Sequence, residues 1–487
     1  MIECTAKDIC AATGATLVSG TGDEACAGVA IDSRKVGERG LFVAFPGEKV
    51  DGNDYAAKAI EAGAGVVALT READAAVVAA AEGAGCALVR VAADDATEFM
   101  LRLAGWWRAE HDWCVVGVTG SVGKTTTKEM LAAILGKKYR VHATAGNFNN
   151  LIGVPITLLS APSDSEVLVV EMGMNHAGEI TRLAECARPR VAAITNVGTS
   201  HIGLLGSREG IARAKGEIVA PLAKTLPGTI APKPRVFLTV ENDYSAFIAE
   251  EFAKPAGVPV TFVGGTDSSL VAAGLALDDE AHPSFAVTPG EGMPHAGESF
   301  EVNLSLTGAQ TVPDALLASA IGLELGVEPA DIAGALADLA PTHMRQEVVR
   351  GTCGCRIIDD SYNAAPNSMA ASLKVLCRMR VHEGGRRIAV IGEIGELGEE
   401  EMRLHELVGA FVAACPLDIL VIVGTDRADR IESAACTMDF SEDKIIRVRD
   451  VEELIGVVGP ILEADDLVLV KASRAAYLDK FVKAVTA

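Results

Sequence analysis

The sequence predicts an α/β fold divided into three domains. Its 487 residues correspond to about three domains of roughly 100–200 residues each. Apolar runs with the length of strands alternate with helical patterns almost throughout, which indicates largely parallel sheets. Hydrophobic residues make up 49% and charged residues 22% of the chain, so it has enough apolar side chains for several buried cores.

The first two predicted domains cover residues 1–88 and 89–340. In the first, residues 41–45 read as a strand and residues 55–62 as a helix. The second begins with a helical pattern over residues 95–112, which leads into an apolar strand. We therefore expect a small α/β domain followed by a larger domain built on a parallel sheet.

The third predicted domain, residues 341–487, has the pattern of a doubly wound, Rossmann-like domain. Its strands, mostly separated by helical patterns, are predicted at residues 356–359, 387–391, 419–423 and 467–470. Ligands of such domains bind outside the carboxyl ends of the strands. In the second domain, residues 225–300 are rich in Pro and Gly and have a less regular periodicity.

Charge and hydropathy argue against two classes of partner. The formal net charge is −23 and no Lys/Arg-rich run is present, so we expect no nucleic-acid partner. No apolar run reaches the roughly 18 residues that a transmembrane helix needs, which predicts no membrane insertion. The first residues lack a basic start followed by an apolar stretch, and the 11 cysteines are scattered. Both features favour a cytoplasmic protein with reduced thiols. Separately, we expect the protein to be a monomer.

The strongest local signal is the segment GVTGSVGKTT at residues 117–126. An apolar strand enters it and an amphipathic helix leaves it, so backbone N–H groups of the loop and the helix N-terminus can bind phosphate oxygens. Lys124 can reach the β- and γ-phosphates, and Thr125 can bind Mg²⁺. Val118 stands where the usual pattern has its first Gly. The alternative interpretation is a Gly-rich turn without a nucleotide.

Two further apolar strands place polar side chains where a divalent cation can bind. Residues 167–170 lead into Glu171, and residues 191–195 lead into a loop that contains His201. In a parallel sheet both ends fall on the edge that carries the phosphate loop. A carboxylate there can bind Mg²⁺ directly or through water. An imidazole is a less usual ligand for Mg²⁺, and it also suits Mn²⁺ or a position behind the direct metal ligands. Taken alone, each residue also fits an ordinary strand end or loop.

Lys215 lies in the segment GIARAKGE at residues 210–217, just beyond His201. Its immediate neighbours have short side chains, so this lysine can sit close to a packed wall of the protein. The alternative interpretation is a solvated lysine on a helix surface, which is the usual position of this residue type.

Taken together, these motifs resemble those of the Mur ligase family. The phosphate loop is similar to the family's ATP loop, and the order and spacing of further matching segments recur over three domains. These segments are DSR at 32–34, NFNN at 147–150, EMGM at 171–174, AKGE at 214–217, GEIGELG at 392–398 and KASR at 471–474.

The resemblance implies a nucleotide-sugar domain, a P-loop ATPase-like central domain and a C-terminal Rossmann-like ligase domain. It implies ATP-dependent ligation through an acyl phosphate, with ATP and two Mg²⁺ ions. The stretch DDSYNAAPNSM at residues 359–369 favours the small-molecule substrates UDP-N-acetylmuramoyl-tripeptide and D-alanyl-D-alanine. The alternatives are a Mur ligase that adds a different amino acid, a folylpolyglutamate-type ligase, and a nucleotide-gated binding protein that performs no ligation.

The resemblance also implies roles for individual residues. Catalytic roles fall to Lys124, Lys215, His201 and Arg345. The implied ATP contacts are Thr119, Gly120, Ser121, Val122, Gly123, Lys124, Thr125, Thr126, Asn150, Arg345, Asp360 and Asn363. The implied metal ligands are Thr125, Glu171, His201 and, after carbamylation by CO₂, Lys215. The implied substrate contacts are Ser33, Arg34, Asn147, Asn149, Lys471, Ser473 and Arg474.

Several positions depart from the family's usual pattern, and around residues 241–243 the usual NxDD is only loosely kept. Gln310 and Asp314 stand where the family commonly has His and Asn, Ala472 replaces a glycine, and Glu393 replaces an aspartate. The phosphate and metal positions are intact, so we interpret these departures as sequence drift in an active enzyme.

Overall fold

The computed structural model describes residues 1–47, 49–225, 228–230 and 232–486. It confirms the α/β class, because helices and strands alternate along most of the described chain and the strands form three large sheets and one two-stranded sheet. Among the described residues, no helix combines the length and apolar character needed to cross a bilayer.

The described part of the N-terminal region contains seven β-strands and three α-helices before residue 91. They are β1 (Glu3–Thr5), α1 (Ala6–Thr13), β2 (Thr16–Ser19), β3 (Ala25–Ala27), β4 (Val29–Ala30), β5 (Leu41–Val43), α2 (Ala56–Glu61), β6 (Val66–Leu69), α3 (Ala75–Ala84) and β7 (Ala87–Arg90). The main sheet has the order β2-β7-β6-β5-β4 and is parallel except for β2. The predicted strand at 41–45 and helix at 55–62 are present, each slightly shorter. The domain boundary predicted after residue 88 falls inside β7.

The central region is built on a nine-stranded sheet. Its elements are α4 (Ala96–Ala109), β8 (Cys114–Thr119), α5 (Lys124–Gly136), β9 (Val141–Ala143), α6 (Gly153–Ser160), β10 (Val167–Glu171), α7 (Glu179–Ala187), β11 (Val191–Ile194), α8 (Ile202–Leu205), α9 (Arg208–Gly216), α10 (Val219–Leu222), β12 (Arg235–Thr239), α11 (Ser245–Ile248), α12 (Lys254–Ala256), β13 (Val260–Gly264), β14 (Leu270–Leu277), β15 (Pro283–Pro289), β16 (Phe300–Asn303), α13 (Val312–Glu324) and α14 (Pro329–Ala337).

The central sheet has the strand order β16-β15-β14-β13-β12-β11-β8-β10-β9. The seven neighbouring strands β14, β13, β12, β11, β8, β10 and β9 are parallel to one another. Strand β15 is antiparallel to both of its neighbours, β14 and β16. Residues 225–300, for which the sequence showed a less regular periodicity, contribute all of β12 to β15. On β15 buried and partly exposed residues alternate, which is typical of an antiparallel strand with one face towards solvent.

The register of the central strands brings three carboxyl ends together. Glu171 at the end of β10 pairs with Val118 on β8, and Ile194 at the end of β11 pairs with Thr119. All six residues of β8 are buried, because α5 and α13 cover one face of the sheet and α4, α6 and α7 cover the other. The prediction that the phosphate loop and the two polar strand ends share one edge is therefore confirmed.

The C-terminal region is a doubly wound domain, as predicted. Its elements are β17 (Glu347–Arg350), β18 (Arg356–Asp359), α15 (Pro366–Arg378), β19 (Arg387–Gly392), α16 (Glu401–Ala413), β20 (Ile419–Val423), α17 (Ala428–Thr437), β21 (Ile445–Val448), α18 (Val451–Val458), β22 (Leu467–Lys471) and α19 (Asp479–Thr486). The strand order is β17-β18-β22-β19-β20-β21, and only β17 is antiparallel to its neighbour. The four predicted strands are present. The prediction missed β17 and β21, which are edge strands and only partly buried.

Candidate active site

A cleft of about 1720 Å³ lies between the central and C-terminal sheets. The central domain contributes the phosphate loop, the ends of β10 and β11, and the segment before α13. The C-terminal domain contributes the segments that follow β18, β19 and β22. Both sets of loops lie at the carboxyl ends of parallel strands, where α/β proteins bind their ligands.

The phosphate loop connects β8 to α5 and contains two glycines in the left-handed region. Gly120 has a φ of 152° and Gly123 a φ of 83°. At Gly123 a Cβ atom would also lie 2.5 Å from Oδ1 of Asp314, so both conformation and space require glycine there. Lys124 donates hydrogen bonds from Nζ to the carbonyl oxygens of Gly120 (2.8 Å) and Ser121 (3.4 Å). Burial lowers the pKa of the Lys124 ammonium, while nearby Glu171 acts in the opposite direction.

Glu171 forms a polar cluster at the end of β10. Its Oε2 accepts a hydrogen bond from Thr125 Oγ1 at 3.0 Å, and its Oε1 accepts one from Asn149 Nδ2 at 2.7 Å. Glu171 is 2% exposed. The cluster contains a carboxylate, a hydroxyl and an amide oxygen beside the phosphate loop, which is the kind of ligand set that Mg²⁺ prefers.

His201 faces the C-terminal domain. It adopts a left-handed backbone conformation with a φ of 64°, and its Nδ1 lies 2.7 Å from Oε2 of Glu396. The neighbouring imidazole lowers the pKa of the Glu396 carboxyl. A Cβ atom on Gly203 would lie 2.6 Å from the backbone of Gly398, so the two loops are packed closely. The structure thus places the predicted metal ligand His201 in contact with Glu396 where the two domains meet.

Lys215 is buried on α9 and does not line the cleft, since its side chain is covered by protein. Burial, and secondarily the positive charge of Lys124, lower the pKa of the Lys215 amine well below its ordinary value. The interpretation of a solvated surface lysine is therefore wrong for this residue. A lowered pKa increases the fraction of the amine that is neutral and nucleophilic.

The C-terminal domain contributes a buried ion pair to the cleft. Lys471 Nζ donates to Oδ2 of Asp360 at 2.7 Å and to the carbonyl oxygen of Asn363 at 3.0 Å. Burial lowers the pKa of the Lys471 ammonium, and the Asp360 carboxylate opposes this effect. Arg345 stacks its guanidinium 4.2 Å from the centre of the Tyr362 ring. This stacking orients a planar cation along the cleft wall.

Most of the predicted site residues meet in this cleft. In addition to those described, the lining includes Ser121, Val122, Gly123, Thr126, Asn147, Asn149, Asn150, Ser473 and Arg474. Thr119 is fully buried in β8 behind the loop. Ser33 and Arg34 do not line the cleft; they begin a short 3-10 helix in the N-terminal domain, where Arg34 pairs with Asp32 at 2.8 Å.

Two residues lie near the site in positions that the sequence did not predict. Asp314 is 7% exposed and lies beside Gly123; burial raises the pKa of its carboxyl to about 8, against a smaller opposite effect of Thr127. Glu396 reaches His201 from the other domain. The sequence carried a signal for Glu396, since it lies within GEIGELG, but no local pattern reveals a partner 195 residues away.

Comparison with known proteins identifies the family from three matching segments. Residues 26–104 match the Mur ligase family catalytic domain, residues 118–322 the Mur ligase middle domain, and residues 344–474 the glutamate ligase domain of Mur ligases. A UDP-N-acetylmuramoyl-tripeptide--D-alanyl-D-alanine ligase from Bacillus subtilis is 34% identical to this chain, and the alignment covers 99% of this chain and 98% of the relative. The chain belongs to the Mur ligase family. The ligase of the same name from Escherichia coli is 31% identical over 94% of this Mur ligase and 93% of its own length.

Solved structures agree with this family assignment. A MurF crystal structure from Acinetobacter baumannii has a TM-score of 0.83 and 29% identity to this Mur ligase, covering 100% of this chain and 99% of that one. A MurF ligase from Thermotoga maritima, crystallised in complex with ADP, has a TM-score of 0.76 and 26% identity, covering 94% and 97%. The expected three-domain architecture and the use of ATP by this Mur ligase are confirmed.

Proposed function

We propose that this Mur ligase joins D-alanyl-D-alanine to UDP-N-acetylmuramoyl-tripeptide and converts ATP to ADP and phosphate, as a step of peptidoglycan precursor synthesis. The observation that carries the proposal is the arrangement of Lys124, Thr125 and Glu171 at one sheet edge. Across the cleft they face Arg345 and Lys471 of the C-terminal domain. Relatives that align along nearly the whole chain carry the name of this ligase.

The proposed reaction proceeds through an acyl phosphate. A carboxylate oxygen of the tripeptide attacks the γ-phosphorus of ATP, the bond to the bridging β–γ oxygen breaks, and ADP leaves. The amine of D-alanyl-D-alanine then attacks the acyl carbonyl carbon and loses a proton, and phosphate departs from the tetrahedral intermediate. Such a reaction depends mainly on positioning and charge neutralisation, which the two walls of the cleft can supply.

Each wall of the cleft has a distinct proposed role. The N–H groups of the phosphate loop and Lys124 hold the β- and γ-phosphates, and Arg345 adds positive charge from the opposite domain. Asn150 approaches the nucleotide, with Asp360 and Asn363 across the cleft. The cationic and hydroxyl groups of the C-terminal domain receive the incoming dipeptide or the acceptor peptide; they are Lys471, Ser473 and Arg474, with Asn147 and Asn149 on the central side.

We propose two Mg²⁺ positions beside the phosphates. The first would be held by Thr125 and Glu171, whose oxygen atoms lie 3.0 Å apart. The second would be held by His201 together with Lys215 after its carbamylation. Bound Mg²⁺ neutralises charge on the phosphate oxygens. Because Nδ1 of His201 lies 2.7 Å from Oε2 of Glu396, we expect binding at the second position to compete with this contact or to include the carboxylate.

The carbamylation of Lys215 follows from its burial. A neutral amine can attack the carbon of CO₂, lose a proton to solvent, and become a carbamate anion. This changes a cationic side chain, which would repel a nearby metal ion, into an oxygen ligand. The low pKa of the Lys215 amine, caused by burial and by Lys124, increases the neutral fraction that this reaction requires.

Lys215→Arg should lower ligase turnover by roughly 100-fold or more, because arginine keeps the positive charge but cannot form the carbamate. Phosphate release with saturating substrates measures the loss. Carbon-13 NMR after exposure to labelled bicarbonate should show a carbamate signal in the native protein that is absent from the variant. Lys224→Arg, at an exposed lysine beyond α10, is the matched control. If the native protein showed no carbamate signal after this exposure, carbamylation of Lys215 would be contradicted.

A turnover assay with different amines tests the proposed function. Purified protein with UDP-N-acetylmuramoyl-tripeptide and Mg-ATP is given D-alanyl-D-alanine, meso-diaminopimelate, lysine or glutamate. We expect phosphate release to be at least about 100-fold faster with D-alanyl-D-alanine, since a site built to bind its groups leaves polar atoms unpaired with the wrong amine. Faster release with another amine would favour the alternative ligases, and ATP binding without amine-dependent release would favour a binding protein.

The remaining assignments concern the whole chain. We propose that the uridine nucleotide binds to the N-terminal domain near Ser33 and Arg34. Because β7 belongs to the N-terminal sheet and ends at Arg90, we move the first predicted boundary from residue 88 to residue 90, so that the proposed domains span residues 1–90, 91–340 and 341–487. The protein is proposed to act as a cytoplasmic monomer, with closure of the domains excluding water from the cleft. Small-angle scattering with and without both ligands tests closure, because an unchanged radius of gyration would contradict it.

A further inference from the structure

The chain contains only two glutamines, Gln310 and Gln346, and their side chains contact each other. Gln310 lies just before α13 in the central domain, and Gln346 lies just before β17 at the start of the C-terminal domain. Gln310 Nε2 donates to Oε1 of Gln346 at 2.9 Å. The only glutamine side chains of the protein thus form an amide–amide hydrogen bond between two domains.

The local structure on the central side adapts to this contact. Gln310 Nε2 also donates to the carbonyl oxygen of Thr307 at 3.0 Å, and Thr307 Oγ1 lies 3.4 Å from Oε1 of Gln346. Gly308 has a φ of 88°, and a Cβ atom there would overlap the amide group of Gln310. Glycine at this position therefore leaves room for the glutamine side chain.

The C-terminal side continues the hydrogen bonds into the reaction cleft. Gln346 Nε2 donates to Ser372 Oγ at 3.2 Å, and Ser372 Oγ donates to Oδ2 of Asp360 at 2.5 Å. The same Oδ2 accepts from Lys471 Nζ at 2.7 Å. Gln310 Nε2, Gln346 Nε2 and Ser372 Oγ thus donate in succession towards the Asp360 carboxylate, and bonds in such a chain polarise one another. Ser372 Oγ also lies 2.9 Å from the carbonyl oxygen of Ser368.

Gln346 adopts an unfavourable backbone conformation. Its φ is 53°, in the left-handed region that residues with a Cβ atom seldom adopt. Such a conformation persists where surrounding interactions hold it, and such residues concentrate at functional sites. The hydrogen bonds of the side chain to Gln310 and Ser372 are interactions of this kind.

We propose that Gln310 and Gln346 are positioning residues, whose amide pair connects the central domain to Ser372 and Asp360 and thereby holds the Lys471 ammonium in place within the cleft. The inference rests on the proposed function and deepens it. When the domains are together, Gln310 completes the hydrogen bonds that orient Asp360. When they separate, Gln346 loses its partner and Lys471 loses part of its support. The contact therefore couples domain closure to the geometry of the C-terminal cationic group.

NMR tests the connection independently of activity. Because the chain has two glutamines, protein labelled with nitrogen-15 at glutamine Nε2 should show two side-chain amide groups. In Gln310→Met the signals of one amide group disappear. This loss identifies the Gln310 signals and leaves those of Gln346. We expect Gln310→Met and Ser372→Ala each to shift the remaining Gln346 signals, whereas Arg380→Ala should not. Arg380 pairs with Asp279 at 3.2 Å between the same two domains but is not connected to the glutamines.

Kinetics test the positioning role. Gln346→Met keeps the size of the side chain and removes its hydrogen bonds, so we expect kcat to fall about tenfold while the KM for ATP changes little. Because the two amides act through one contact, Gln310→Met should lower kcat similarly and the double variant should be no worse than Gln346→Met alone. Arg380→Ala should retain the native kcat. Gln310 is only partly buried, so its variant provides the test if Gln346→Met does not fold.

Each outcome decides one claim. Unshifted Gln346 signals in Gln310→Met and Ser372→Ala would overturn the connection. Additive kinetic losses, or an Arg380→Ala loss equal to that of Gln346→Met, would overturn the positioning role. A native protein that is inactive with D-alanyl-D-alanine would overturn the proposed function, and the NMR result would still decide whether the glutamines connect to Asp360.

Discussion

Replacing Lys124 by methionine should lower ligase turnover by at least about 1000-fold, because the variant removes the one ammonium that the phosphate loop places at the β- and γ-phosphates. The structure indicates a large effect, since Lys124 is enclosed by its own loop and donates to the carbonyl oxygen of Gly120 at 2.8 Å. Methionine fills a similar volume but supplies no charge. We expect Mg-ATP affinity to fall together with turnover.

The measurement is phosphate release at saturating substrates, with Mg-ATP affinity determined by calorimetry. Lys137→Met is the matched control, because Lys137 follows the same helix at its exposed C-terminal end and should leave turnover unchanged. If Lys124→Met kept turnover within threefold of the native protein, the assignment of residues 117–126 as the ATP loop would be wrong.

Asp314→Asn should make the protein more stable than the native form at about pH 8, and the difference should vanish towards about pH 4. Burial raises the pKa of the Asp314 carboxyl from 3.8 to about 8. The folded protein therefore keeps a proton that the unfolded chain releases, and folding stability falls as pH rises between these two values. The total effect is roughly 5–6 kcal/mol, since each pKa unit corresponds to about 1.4 kcal/mol. Asparagine has nearly the same shape and does not ionise, so the variant avoids this loss.

Denaturant unfolding of both proteins at several pH values between about 4 and 8 measures the difference. Asp331→Asn, at an exposed position on α14, is the matched control and should show no comparable pH dependence. A stability difference between native protein and Asp314→Asn that stays constant with pH would contradict a protonated Asp314. The same proton has a functional consequence, because an ionised carboxylate beside Gly123 would repel a bound phosphate.

Some elements of the central and C-terminal domains were predictable because their signals are local. The phosphate loop needs glycine at particular positions, a strand before it and a helix after it, and all of these lie within residues 114–136. Strands buried on both faces, such as β10 and β20, are continuous apolar runs. The edge strands β17 and β21 are partly exposed and carry charged residues, so they lack a continuous apolar run in the sequence. They form strands because they pair with β18 and β20.

The sequence alone determined the α/β class, the phosphate loop, and the polar ends of β10 and β11, because each depends on residues that are neighbours in the chain. Only the tertiary structure decided which side chains meet. It paired His201 with Glu396 and Gln310 with Gln346, and it buried Lys215 and Asp314. Contacts and burial of this kind depend on how the domains pack, and packing joins residues that are far apart in sequence and show no shared local pattern.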